Sequence, residues 1–389
     1  MIGSEAEVAL RDMTVAVLDV PFRVVFGGGL SPEDVERIAS SWAACHRPST
    51  GEERIVLADV LPSTIEGEGV RVLAGTVAQL EESLTSTLTV EAIGVRRDDL
   101  LMLHACGVAD ESGRVLAFVA ASGTGKTTMA RLLGTRFGYV SDETVGVAED
   151  GRVLPYPKPL SVKPLTGTAP KAQLAPEALG LRPAPRGPLV LAGVVLLDRR
   201  PGVAEPFLEA VDPIEAIDDL VPQTSYLSAR PRPIVHLVET LRSLGGVRRL
   251  VYSESADALG LVEQLFTTLG GQAPAIWDEI VPLPLSGTAS DDLELSLVDD
   301  ALRAPDGEVL VFSGGVLVRL SGIGPALWQR IGEGVPADRL SAAVLADVGG
   351  APHGVDPRSA VDAAVDELVG LGVITRRRAQ QPTPDGVHP

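Results

Sequence analysis

The stretch from Val115 to Thr128, VLAFVAASGTGKTT, constrains this chain more than any other. A short β-compatible apolar run, Val115 to Ala120, passes at once into Ser122-Gly123-Thr124-Gly125, so a strand is expected to run into a tight turn. Lys126-Thr127-Thr128 then opens a helix reading MARLLGTRF. Strand, glycine-rich loop and helix in this order make a phosphate cradle. Glycines let backbone N–H groups close around phosphate oxygens, and the helix N-terminus adds its positive dipole end. Ser122, Gly123, Thr124, Gly125, Lys126, Thr127 and Thr128 are therefore expected to bind the phosphates of a nucleotide. Lys126 would reach the outer phosphates, and the Thr127 hydroxyl a bound Mg²⁺. The pattern departs from G-x-x-x-x-G-K-[ST] at its first position, which is Ala120; a methyl group is tolerated there where φ stays negative.

The flanks of the loop carry further candidates. Leu100 to Val108 reads as a strand that pairs with Val115 to Ala120 across Asp110-Glu111-Ser112-Gly113, and it contains His104. Such a histidine is either a packed, hydrogen-bonded side chain or, because the loop is adjacent, a member of the site. After the loop helix, Gly138-Tyr139-Val140-Ser141 returns as a strand ending in Asp142-Glu143. Carboxylates at the carboxyl end of a strand beside a phosphate loop stand where Mg²⁺ and a nucleophile's proton are handled, and this outweighs reading them as a charged turn. Then follows LPYPKPLSVK, residues 154–163, in which prolines hold the backbone extended. Lys158 and Lys163 either face phosphate or substrate from this segment or only solvate a loop, and the pattern does not choose. Ala169 to Pro188 reads as a mobile excursion, and Leu189 to Asp198 as a central buried strand. Arg199 and Arg200 leave the end of that strand and could meet phosphate, and Gln223 is a weaker candidate. Helices are expected at 213–220, 231–244 and 256–269, with a strand at 247–252.

A chain of 389 residues has room for two or three domains. The net charge of -19 argues against a nucleic-acid surface, which needs clustered Lys and Arg. Cys45 and Cys106 are the only cysteines, too few for a disulfide framework or a zinc site, so a reduced cytoplasm is the expected setting. The acidic N-terminus shows no signal peptide, and no apolar run reaches membrane-spanning length, so no membrane partner is expected. Residues 1–97 read as an accessory α/β layer, with strands over 15–25 and 55–60, a helix over 32–45, and a segment at 77–88 compatible with helix or strand.

Leu103-His104-Ala105 ahead of the loop, a strand ending in an acidic pair, and then Pro-Tyr-Pro-Lys-Pro-Leu-Ser resemble the HPr kinase-like family of P-loop proteins over about residues 99–266. The resemblance implies an α/β nucleotide-binding domain at 98–271 and ATP-dependent phosphorylation of a serine or threonine hydroxyl, with Mg²⁺ as cofactor. By it, Asp142 is the general base, Lys126 and His104 stand beside the nucleotide, and Thr127, Asp142 and Glu143 form the metal shell, Glu143 replacing the family's second Asp. The glycine-arginine signature of HPr kinase/phosphorylases is missing after the loop, so HPr itself is not the expected acceptor. Kinases of this resemblance are often homo-oligomers.

Beyond a joint at 272–296 the pattern changes. Glu308 to Phe312 and Val316 to Leu320 flank Ser313-Gly314-Gly315, a hairpin signal, and three amphipathic helices follow, with Leu327-Trp328 in the first and Leu-Gly-Val-Ile at the end. This order resembles the PqqD-like, winged-helix-like peptide-recognition domains over 297–376, with 377–389 a disordered tail. The resemblance implies binding of a precursor or leader peptide by strand addition to a sheet edge. A structural module without a ligand is the plain alternative, and Trp328 is a core residue by default. Joined, the two parts suggest a kinase that phosphorylates a recruited precursor peptide. A nucleotide-gated peptide adaptor without phosphoryl transfer, and a kinase or ATPase for a small molecule, are the competing readings.

Overall fold

The computed structural model describes residues 12–47, 51–121, 123–162, 171–268, 276–288, 292–349, 354 and 356–377. Ser122, Lys163 and the tail after Arg377 lie outside the described residues. The fold is mixed α/β with several sheets, divided into two compact units: Met1–Leu227 with Leu241–Ala275, and Ser228–Thr240 with Ile276–Pro389.

The first unit opens with a four-stranded sheet in the order Asp12–Val17, Val20–Phe26, Arg54–Val60, Val70–Ala74. The strand expected over 15–25 is in fact two strands, reversed at Leu18 and Asp19 with φ of 49° and 59°. Left-handed backbone costs an ordinary residue about 1–2 kcal/mol. Leu18 is fully buried, which contributes roughly 2 kcal/mol and offsets that cost. The segment left open between helix and strand is the helix Val77–Val95, because Leu80, Leu84, Leu88 and Ala92, four apart, all face the core. Leu100, Met102, Leu154 and Tyr156, from later in the chain, pack into this same core.

The seven-stranded sheet positions the site. Its order is Arg182–Pro183, Gly138–Ser141, Ala105–Ala109, Arg114–Val119, Val190–Arg199, Val247–Tyr252, Phe207–Val211. The strand expected at Leu189 to Asp198 is indeed central, parallel to both neighbours. Ala105–Ala109 runs antiparallel to Arg114–Val119 and to Gly138–Ser141, so those two strands run the same way. Their carboxyl ends and the start of Ala105–Ala109 therefore meet at one edge of the sheet. The expected single strand over Leu100 to Val108 is interrupted at His104. Leu101–Leu103 joins a separate sheet with Val145–Val147 and Thr224–Ser225, while Ala105–Ala109 joins the large one. His104 N donates to Gln223 O (2.7 Å) and Ala105 N to Glu143 O (3.1 Å), so the chain changes partners at that residue. The part of the expected excursion at 169–188 that is described is built into sheets: Ala172–Leu174 pairs with Leu160–Val162, and Arg182–Pro183 edges the large sheet.

In the second unit the hairpin forms as expected, Val309–Ser313 with Val316–Leu320, turned by Gly314 and Gly315 at φ of 57° and 87°. That two-residue turn requires positive φ at both positions, which glycine adopts freely. Asp300–Arg303 and Val281–Pro282 complete a four-stranded antiparallel sheet. Helices Gly324–Gly332, Ala337–Val348 and Pro357–Gly370 follow, and Ile374–Arg376 pairs with Leu293–Leu295. Two stretches read as a joint, Val281–Pro282 and Leu293–Leu295, are thus strands of this unit. Trp328 is buried in its core, as expected. Arg376 and Arg377 pair with Asp366 and Glu294. Among the described residues no helix is long and apolar enough to cross a membrane.

Candidate functional site

The loop strand Arg114–Val119 ends at Ala120, which is buried and outside the left-handed region, so its methyl group is accommodated as expected. Gly123 and Gly125 take φ of 83° and 100°. Among the described residues nothing lies within 4 Å of where a Cβ would be on either, and the positive φ demands glycine there. Gly125 caps the helix Lys126–Gly134. Thr124 turns its hydroxyl back to Ala121 O at 2.6 Å. Lys126 is 8% exposed and folds over its own loop, donating to Ala120 O and, at 3.2 Å, to Ala121 O.

His104, Gly123, Gly125, Lys126, Thr127, Thr128, Asp142 and Glu143 line one open cavity of about 590 Å³ at the carboxyl edge of the large sheet. Of the loop residues, Thr124 does not line it. Arg199 and Arg200, expected near phosphate, do not line it; they pair with Glu254 and Asp198 at 3.0 and 2.6 Å. Gln223 contributes its backbone carbonyl to His104.

Lys158, left undecided by the sequence, belongs to the cavity wall and is only 3% exposed. Its Nζ lies 3.0 Å from Asp142 Oδ1 and 3.1 Å from Glu143 Oε2. Asp142 Oδ1 also accepts from the buried Tyr139 hydroxyl at 3.0 Å. Burial pulls the Lys158 pKa down, but the two adjoining carboxylates outweigh it and leave the ammonium above its ordinary value. Burial, then the Asp142 charge, pushes Tyr139 far up, so it stays a donor. The signal that could have found Lys158 was its place two residues after a tyrosine in a proline-fixed segment. Arg131, Ser161, Val162 and Lys171 complete the lining, with positive charge from Arg131 and from Lys171, which pairs with Glu82 at 3.5 Å.

Burial, reinforced by the Lys126 ammonium, holds His104 below its ordinary value, against the opposing pull of Glu143. The ring is neutral at pH 7. Because its folded pKa is depressed, the unfolded chain binds the proton more readily, and stability is lost as pH falls below about 6.5. The difference in melting temperature between His104→Gln and wild type is therefore expected to move in the variant's favour between pH 7.5 and pH 5. A difference that stays constant over that range would remove the burial assignment.

Among the described residues no group of three or more His, Cys, Asp or Glu side chains is arranged to hold a metal ion. No protein-family model and no curated protein matches the chain. Among solved structures it is similar to the HPr(Ser) kinase/phosphatase from Coxiella burnetii, at 11% identity and a TM-score of 0.22, covering 43% of this chain and 94% of that one.

Proposed function

We propose that the first unit is an ATP-dependent phosphotransferase for a serine or threonine hydroxyl, and that the second unit recruits the precursor or leader peptide bearing it. One observation carries the reading: His104, Lys126-Thr127 and Asp142-Glu143, from three separate points between residues 104 and 143, line a single cavity with the glycine loop. Its volume of about 590 Å³ lies in the range that small-molecule sites occupy.

In this reading the loop amides and the helix N-terminus hold the phosphates, and Lys126 exchanges its loop carbonyls for an outer phosphate oxygen. Asp142 takes the proton of the acceptor hydroxyl as that oxygen bonds to the γ-phosphorus. The bond from phosphorus to the β–γ bridging oxygen breaks, and ADP leaves. Neutral His104 offers a hydrogen bond beside the phosphates without adding charge. The oxygen donors Thr127, Asp142 and Glu143 suit an Mg²⁺ brought in on the nucleotide, which needs only one or two protein carboxylates and would neutralise phosphate charge. The peptide part rests on Val316–Leu320, at one edge of its four-stranded sheet, the position to which a peptide strand would add.

The test is the intact mass of candidate precursor peptides after incubation with the protein, Mg²⁺ and ATP, with Lys126→Ala as control. The expected result is a gain of one phosphoryl group that requires Lys126. A second reading, a nucleotide-gated peptide adaptor, is favoured by the way Lys126 and the acidic pair are already satisfied within the protein. No mass gain, with ATP and peptide both bound, would select it.

A further inference from the structure

The proposed transfer makes no use of Lys158, although it is the most deeply buried lysine among the described residues. Its ammonium has three acceptors: Asp142 Oδ1 at 3.0 Å, Glu143 Oε2 at 3.1 Å and Pro159 O at 3.2 Å. An ammonium has three donors to give, so the head group is fully engaged.

The segment bearing it is fixed from outside the site. Pro155, Pro157 and Pro159 restrict the backbone. Tyr156 N donates to Val140 O at 2.9 Å, and Lys158 N to Tyr156 O at 2.9 Å. The Tyr156 side chain is fully buried in the core of the N-terminal layer. Its hydroxyl lies 2.6 Å from Thr89 Oγ1 on the helix Val77–Val95. Since Thr89 Oγ1 donates to Thr85 O at 2.8 Å, Tyr156 is the donor to Thr89. The N-terminal layer, whose described residues do not line the cavity, therefore helps to set where Lys158 sits.

We infer that Lys158 is the resident counter-ion of the Asp142–Glu143 pair, seated by the N-terminal layer through Tyr156, and that it keeps a free divalent cation off that pair until one arrives on a nucleotide. The last clause rests on the nucleotide reading of the cavity. A fixed positive charge about 3 Å from both carboxylates repels a second cation there, whereas phosphate oxygens arriving with the metal supply the negative charge that offsets the repulsion. Lys158 is in these terms a positioning residue for the acidic pair.

The experiment titrates Mn²⁺ alone into the nucleotide-free full chain, followed by calorimetry and by the Mn²⁺ paramagnetic resonance signal. Asp142→Asn serves as the blank for the exposed acids of a chain with net charge -19. Wild type and Lys158→Arg are expected to match the blank. Lys158→Met is expected to bind Mn²⁺ at least about tenfold more tightly, and to lose that gain in Lys158→Met/Asp142→Asn. Uptake by wild type equal to that of Lys158→Met, or a gain that survives Asp142→Asn, would overturn the inference. Should Lys158→Met fail to fold, the triple variant with Asp142→Asn and Glu143→Gln, which removes the charges Lys158 balances, is expected to fold; its failure counts against. A second arm adds a non-hydrolysable ATP analogue, with which wild type should take up Mn²⁺. Absence of nucleotide binding there would sink the nucleotide reading while leaving the metal-alone arm to judge Lys158 as counter-ion.

Discussion

Asp142→Asn is expected to lower kcat for phosphoryl transfer by about 10²- to 10⁴-fold, the usual worth of a positioned general base. Affinity for the nucleotide without Mg²⁺, which the loop and Lys126 hold, should stay close to wild type. Asparagine keeps the shape of the side chain and an oxygen that can accept from the Tyr139 hydroxyl and from Lys158. Glu143, 3.1 Å from Lys158 Nζ, still balances the buried ammonium, so the variant should fold. What asparagine cannot do is take a proton. Transfer of labelled γ-phosphoryl under single-turnover conditions, beside a nucleotide titration, separates the two quantities. Turnover that persists in the variant would move the base to another group lining the cavity. A parallel collapse of nucleotide affinity would make Asp142 a binding residue.

How much of this was legible in the sequence depends on how local each cause is. The loop, its lysine and the helix behind it follow from adjacent residues, and the structure has them in that order. The gathering of His104 and Asp142-Glu143 at the loop follows from topology, because parallel strands end on the same edge; what the sequence shows is their placement, and their roles are for the experiments above. Lys158 was undecided for the opposite reason. Its burial depends on Tyr156 packing into a core built mostly from residues 13–92, far away along the chain. The turn at Leu18-Asp19 was missed because leucine disfavours left-handed backbone, and its burial overrode that preference. The break at His104 was hidden because apolar residues continue on both sides of it, and periodicity does not report that one run serves two sheets.

The second unit offers the largest expected loss of stability, from Asp300→Ala. Its carboxylate is fully buried. Oδ2 accepts from Ile234 N at 3.0 Å and Val235 N at 2.9 Å, in the first turn of the helix Pro233–Ser243. Oδ1 accepts from Ala301 N at 2.9 Å and pairs with Arg232 Nε at 3.0 Å. Alanine strands these N–H groups and leaves the guanidinium, among the described residues, its carbonyl partners Leu283 O and Ala301 O at 2.8 and 3.1 Å. Removing one side of a buried pair costs about 3–5 kcal/mol, and the cap loss overlaps with that cost. Arg232 is 31% exposed, so water recovers part of the deficit and the expected value lies near 3 kcal/mol. Burial pushes the Asp300 carboxyl above its ordinary value despite the opposing N–H groups and Arg232. A raised folded pKa favours the protonated form in the fold, so this contribution is present below about pH 4 and is lost as pH rises through the folded value. The margin of wild type over Asp300→Asn, which keeps the shape without the titration, should accordingly narrow from pH 4 to pH 7. Urea unfolding of the full chain at both pH values measures each difference. An Asp300→Ala variant as stable as wild type would show that the helix start does not depend on this carboxylate.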